Sequence, residues 1–196
     1  QAGPSPQADA AQQNAAVPFG HYARYQQWSQ GQSAVSVLNS ALPGPFRLPY
    51  DNISSILERS NGEIWLGSRG DGITVLQRQR GVIKHYPPEP GKAGSLQQGW
   101  VSTMAEQASG ELWLGVNPAQ LYRFSAHSES FQQLDTAQGF WHANVRKLFV
   151  DSQQRLWLGS NEGAGLWQQH TQQFQRILSS GQTPISDYIN GFAEDD

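Results

Sequence analysis

The sequence predicts an all-β protein: a partial β-propeller of four-stranded antiparallel blades, with three full blades plus the start of a fourth. Three observations carry this. One phrase recurs: Ile53-Ser-Ser-Ile-Leu-Glu-Arg-Ser-Asn-Gly-Glu-Ile-Trp65-Leu-Gly67 returns at Val101–Gly115 and again at Val145–Gly159, and Ile189-Asn-Gly-Phe192-Ala-Glu194-Asp195 opens a fourth copy. Its tryptophans, Trp65, Trp113 and Trp157, are 48 and 44 residues apart, and a period of about 40–50 residues marks a propeller or another repeat array. Each copy also divides into four short apolar runs separated by turn residues, with no sustained helical period.

In chain order, residues 1–18 are Gln/Ala/Pro/Ser-rich with no apolar period and read as a disordered leader. Such a leader, with no initial Met, fits an exported chain after signal cleavage as well as it fits a trimmed one. Residues 19–51 hold one aromatic–polar alternation, Tyr22 to Trp28, read as an N-terminal strand of the kind that closes the ring in a complete propeller. A Gly/Pro-bearing loop follows, with a short strand at Val35–Leu38. The blades are then 52–99, 100–143 and 144–187, with a fourth beginning at 188.

Within the blades the strands are expected at Ile53–Glu58, Glu63–Gly67, Ile73–Gln77 and Val82–Tyr86; at Val101–Glu106, Glu111–Gly115, Leu121–Ser125 and Ser130–Leu134; and at Val145–Val150, Arg155–Gly159, Gly165–Gln169 and Gln173–Ile177. Asn61-Gly62 and Ser109-Gly110 supply the positive-φ residue of a tight hairpin. The third copy writes Asp151-Ser-Gln-Gln154 with no glycine, so a longer or differently wound turn is expected there. Both faces of the Leu-Trp-Leu strand are apolar, as a blade sandwiched between neighbours requires. A mid-strand Trp repeated three times reads as packing between blades rather than as a stacking platform. Gly67, Gly115 and Gly159 end the strand where the chain turns.

Composition excludes several classes. Charged residues are 15% and the formal net charge is −3, so no footprint for nucleic acid or an anionic membrane exists. No apolar run approaches the ~20 residues that cross a bilayer. There is no cysteine, and the five histidines (His21, His85, His127, His142, His170) show no metal-ligand spacing and no His-Glu-x-x-His. No phosphate loop or nucleophile elbow is present. The expectation is no catalytic residue, no metal and no cofactor in this chain.

The residues Val145…Asp151…Leu156-Trp-Leu-Gly-Ser160…Gly165-Leu166 and Gly94-Ser-Leu96…Val101…Glu106…Gly110-Glu-Leu-Trp-Leu-Gly115 resemble the two-component-regulator propeller repeat. The likeness covers 52–196, and residues 19–51 resemble the segment before that family's first repeat. Departures are Arg59 and Gln107 where the family favours Asp, and Asn117-Pro118-Ala119 in place of a Gly-rich loop. The resemblance implies the periplasmic sensor portion of an inner-membrane receptor, whose output is a histidine kinase or a diguanylate cyclase. The Gln/Ala-rich composition without Lys/Asn bias leans toward the cyclase. It also implies many more repeats and a further β-sandwich in the whole receptor.

If the first strand of each blade is innermost, one face of the array carries the residues that precede it together with the loops after the second strand. That places Asn52, Arg69, Trp100, Trp141, His142, Asn144, Asn161 and Tyr188 around a channel mouth. Aromatic planes beside amides would suit a small polar ligand, a sugar or a peptide. The other reading of Trp100 and Tyr188 is that they seal blade ends. Trp141, in a loop after Gly139-Phe140, is expected to be the most exposed ring. Two further function classes stay open: a propeller enzyme of the streptogramin-lyase or glycan-active kind, and a structural propeller binding a protein. An open array leaves blade faces exposed, so the expectation is a longer protein, with the rest of the receptor as partner, or a homo-oligomer.

Overall fold

The computed structural model describes residues 38–177 and 188–195. The leader, the strand at Tyr22–Trp28 and most of the one at Val35–Leu38 lie outside the described residues. Among the described residues twelve strands form three antiparallel sheets, each in the order of the chain. They are β1 (Ile53–Glu58), β2 (Glu63–Ser68), β3 (Ile73–Gln77), β4 (Gly81–Tyr86); β5 (Trp100–Glu106), β6 (Leu112–Asn117), β7 (Gln120–Ser125), β8 (Ser130–Leu134); and β9 (Val145–Val150), β10 (Leu156–Ser160), β11 (Gly163–Gln168), β12 (Gln173–Arg176). The first strands β1, β5 and β9 contact one another in series, so they line the inner side of the array.

Alternation along the second strand assigns the two faces of each blade. Trp65 packs with Val101, Leu112 and Leu114 of the next blade. Trp113 packs with Val145, Leu148, Leu156 and Leu158 of the third. The tryptophan thus faces the following blade and its flanking Leu residues face the preceding one, the period of two of a strand buried on both sides. Before each first strand a connector residue plugs the joint at the same offset: Leu48, Leu96 and Phe140, all buried. Leu48 covers Leu66 and Leu76 on the outer part of the first blade.

The glycines of Leu-Trp-Leu-Gly have a packing cause. A Cβ built on Gly67 would lie 2.9 Å from Val101, one on Gly115 2.7 Å from Val145, and one on Gly159 2.7 Å from Ile189. Each glycine is a nest for the β-branched residue that opens the next copy. Ile189 seats like Val101 and Val145, so residues 188–195 occupy the place of a fourth blade's first strand. Phe192 extends the seat, stacking on Phe149 with centroids 6.0 Å apart.

The third hairpin turn departs from expectation. It has the same length and the same closing bond as the others: Gln154 N–H donates to the Asp151 carbonyl at 2.9 Å, as Gly62 does to Arg59 and Gly110 to Gln107. Gln154 takes the left-handed conformation itself, at φ 62° against 80° and 81° for the two glycines. Its side chain is the reason. The Gln154 amide oxygen accepts the Ala108 N–H at 2.7 Å, and its carbonyl accepts from the Gln107 amide at 2.9 Å. A glycine would relieve the backbone but could not make the first of these bonds.

Candidate functional site

Every first strand carries a β-bulge at the residue after its nest-filling Ile or Val: Ser54, Ser102 and Arg146. A bulge re-aims the side chain it carries. The hydroxyls of Ser54 and Ser102 donate to the carbonyls of Val101 (2.7 Å) and Val145 (2.8 Å) across the joint. Arg146 breaks this pattern, and its guanidinium instead lies 5.0 Å from the ring centroid of Tyr188.

The result is an open cavity of about 290 Å³ at the inner end of the second and third blades, lined by Trp100, Asn117, Pro118, Asn144, Arg146 and Asn190, with Val145 at its floor. Trp100 is 37% exposed and Tyr188 63% exposed. Arg69 stacks on Trp100 at 4.5 Å, an arrangement that holds a ring and adds positive charge beside it. The Asn144 amide oxygen accepts from Ala119 N–H at 2.9 Å, and the Asn161 amide oxygen caps Asn144 N–H at 2.8 Å. Both asparagines therefore also hold loops in place. The Asn117 amide oxygen is buried with no hydrogen-bond partner, an acceptor at the cavity wall. Among the described residues no carboxylate lines the cavity.

Of the residues that sequence reasoning placed at the mouth, the structure gathers Trp100 and Asn144 on the cavity, with Arg69, Asn161 and Tyr188 behind or beside them. Asn52 lies one blade away, its carbonyl accepting Arg69 N–H at 2.9 Å. Trp141 is not the exposed ring that was expected. Its ring lies so close over Gly165 that a Cβ there would sit 2.7 Å away. Its outer side is covered by Arg176 at 5.0 Å, and it packs on the core of the second joint. The small residue that receives it sits on the next blade, which loop position alone does not reveal. His142 is exposed, at φ 52°, and does not line the cavity. Sequence reasoning missed Arg146 and Asn190. The signal was available, since Ser54 and Ser102 occupy the same repeat position and Arg146 departs from them.

A larger groove of about 570 Å³ lies at the other end of the second joint, beside Gln107, Gln154, Trp167 and His170. Gln107 and Gln154 there hold the joint, and the Trp167 indole donates to Gln169 at 2.9 Å. Among the described residues no group of three or more His, Cys, Asp or Glu could hold a metal ion. Among the same residues no helix is long and apolar enough to cross a membrane.

Comparison with known proteins agrees with this geometry. No curated protein matches the chain. Solved structures share the fold. One is the extracellular domain of a hybrid two-component system of B. thetaiotaomicron (22% identity, 65% of this chain and 17% of that one, TM-score 0.55). Another is the extracellular domain of a one-component system of the same organism (19% identity, 82% and 21%, TM-score 0.60). A third is a virginiamycin B lyase from Staphylococcus aureus (14% identity, 64% and 41%, TM-score 0.50). The chain spans about a fifth of the length of the first two. A family model described as two component regulator propeller matches residues 47–70, the connector and first hairpin of the first blade. Residues 47–70 thus match the two component regulator propeller repeat.

Proposed function

We propose that this chain is a non-catalytic, ligand-sensing or association module in the periplasmic portion of a membrane signal-transduction receptor, with a histidine kinase or diguanylate cyclase as output. The observation that carries the binding site is the channel-mouth cavity. Trp100 and Tyr188 are exposed there beside two guanidiniums, whereas Trp65, Trp113 and Trp167 are buried between blades. A half-exposed aromatic plane, amide groups and arginines on a rigid frame suit a small polar solute, a sugar or a peptide that offers acceptor groups. The repeat family and the extracellular origin of two fold neighbours support the receptor setting. The enzyme reading rests on fold likeness to the lyase alone, and fold does not carry activity.

The test is calorimetric titration of the chain with a panel of oligosaccharides and short peptides. A binder found in this way should lose at least tenfold in affinity with Trp100→Ala and with Arg146→Ala, both variants keeping the wild-type melt. Unchanged affinity in both would remove the site. A reporter enzyme active only after export, fused to the native receptor within this segment, tests the compartment: activity is expected, and its absence would place the module elsewhere.

A further inference from the structure

In the first two blades the two residues after the nest-filling Ile or Val serve the backbone. Ser54 and Ser55 donate to the Val101 carbonyl at 2.7 and 2.8 Å. Ser102 donates to the Val145 carbonyl, and the Thr103 hydroxyl accepts the Leu148 N–H at 3.1 Å. The third blade has Arg146 and Lys147 in the same two places, and both residues are exposed. Arg69, also exposed, stands behind Trp100. The innermost strand of the third blade and the mouth beside it are thus cationic in a chain whose formal net charge is −3.

The charge is uncompensated. At the hairpin-turn end the arginines are held by carboxylates: Arg59 by Glu63 and Glu106, Arg123 by Glu111, Arg155 by Asp151. Among the described residues Arg69, Arg146 and Lys147 make no ion pair. Asp51 and Asp71, beside the first blade's mouth residues, are taken up by Ser40 and by His85. A guanidinium fork matches the two oxygens of a carboxylate, and a guanidinium is weakly hydrated, so little water has to be stripped from it. The buried Asn117 amide oxygen has no partner, and a buried acceptor calls for a donor. We infer, granting the channel mouth as the binding site, that its ligand is a small carboxylate that also carries a hydroxyl or N–H donor. Arg146 takes the carboxylate, Asn117 takes the donor, Trp100 lies against the body of the ligand, and Lys147 and Arg69 add to the attracting field. An acidic sugar and an acylated amino acid share this chemistry, and the cavity of about 290 Å³ holds one such unit.

Two matched pairs of probes test this on the chain itself: glucuronate against glucose, and N-acetylglycine against its amide. Binding is read by nuclear magnetic resonance titration of the Trp100 indole N–H. At least one carboxylate should bind at least tenfold more tightly than its neutral partner, with an affinity that falls as salt is raised. The pair that shows the preference identifies the source of the carboxylate. Arg146→Ser/Lys147→Thr gives the third blade the second blade's own residues, so it should keep the wild-type melt and lose the preference. Arg146→Gln, which removes the charge and keeps a hydrogen-bonding amide, should lose it too. Three results would overturn the inference: equal affinity within both pairs, no saturable binding of either carboxylate at tens of millimolar, or a preference that survives in both variants. Equal affinities that still depend on Trp100 would remove the charge selectivity and leave the site standing. Binding that Trp100→Ala does not alter would remove the site itself.

Discussion

Arg59 faces Glu63 at 3.5 Å at the two turn positions where Asp151 holds Arg155 at 2.6 Å, so the first blade carries the third blade's ion pair with its signs exchanged. The tryptophan follows the acid. Trp157 donates its indole N–H to Asp151 at 2.8 Å, and Trp65 donates to Glu63 at 3.0 Å. Gln107 does the same for Trp113 at 3.0 Å with no charge. What the turn keeps across the three blades is an acceptor for the indole N–H, at one or the other of these two positions, and the exchange frees Arg59 to reach Glu106 across the joint.

Arg59 and Glu106 therefore form a buried pair that ties the first blade to the second. Removing one partner leaves the other charge buried and unpaired, which costs about 3–5 kcal/mol. Arg59→Met should lower the urea midpoint by that equivalent. The double variant Arg59→Met/Glu106→Gln should be less destabilised than Arg59→Met, since no orphan carboxylate remains at the joint.

The same turns set the acid response. Burial works to raise the Asp151 carboxyl, but donation from Trp157 and from the Arg155 backbone and guanidinium holds it below the ordinary aspartate range. Glu63 is likewise lowered against its burial by Trp65, Asn61 and Arg59. A group whose folded value lies below its unfolded value stabilises the protein above the unfolded value, about 4 for these residues. That contribution is lost as pH falls through the folded value. Urea midpoints measured from pH 7 to pH 2.5 should fall below pH 4. Asp151→Asn should be weaker than wild type at pH 7 and nearly equal to it at the acid end.

How much of this the sequence disclosed follows from what repetition can and cannot reveal. Strand positions came through almost unshifted, because three copies in register let one hairpin signal support the others. Observed ends differ by one or two residues, as at Trp100–Glu106 and Leu112–Asn117. What stayed hidden were relations between copies. Trp141 lies over Gly165 on the following blade, Gln154 reaches back to Ala108, and Arg146 turns outward on a bulge. Each depends on which residue of one copy meets which residue of the next. A repeat period states that copies adjoin but does not state their offset.

The glycine nests give a second measurable consequence. A methyl group on Gly115 would meet Val145 Cγ1 at 2.7 Å and Thr103 Cγ2 at 2.8 Å. Gly115→Ala should cost about 1–3 kcal/mol as overpacking. Val145→Ala in the same chain should recover part of that loss, so the pair shows a favourable coupling energy in a double-mutant cycle. Full additivity would mean that the methyl is accommodated elsewhere.

Gln154 separates backbone strain from side-chain bonding. Gln154→Ala keeps the left-handed backbone, at about 1–2 kcal/mol for a residue with a Cβ, and loses the bond to Ala108. Gln154→Gly loses the same bond but sheds the strain. The alanine variant should melt below the glycine variant, with the glycine variant near wild type. The reverse order would show that the turn relaxes when the side chain is cut.

The glycine nest also bears on how such a protein can change in length over evolutionary time. Both faces of a blade are specified by the same short phrase, so a duplicated unit inserted between two others meets, on each side, a surface it already fits. Arrays of this kind can gain or lose whole blades by copying one coding segment, with no residue elsewhere needing to adapt.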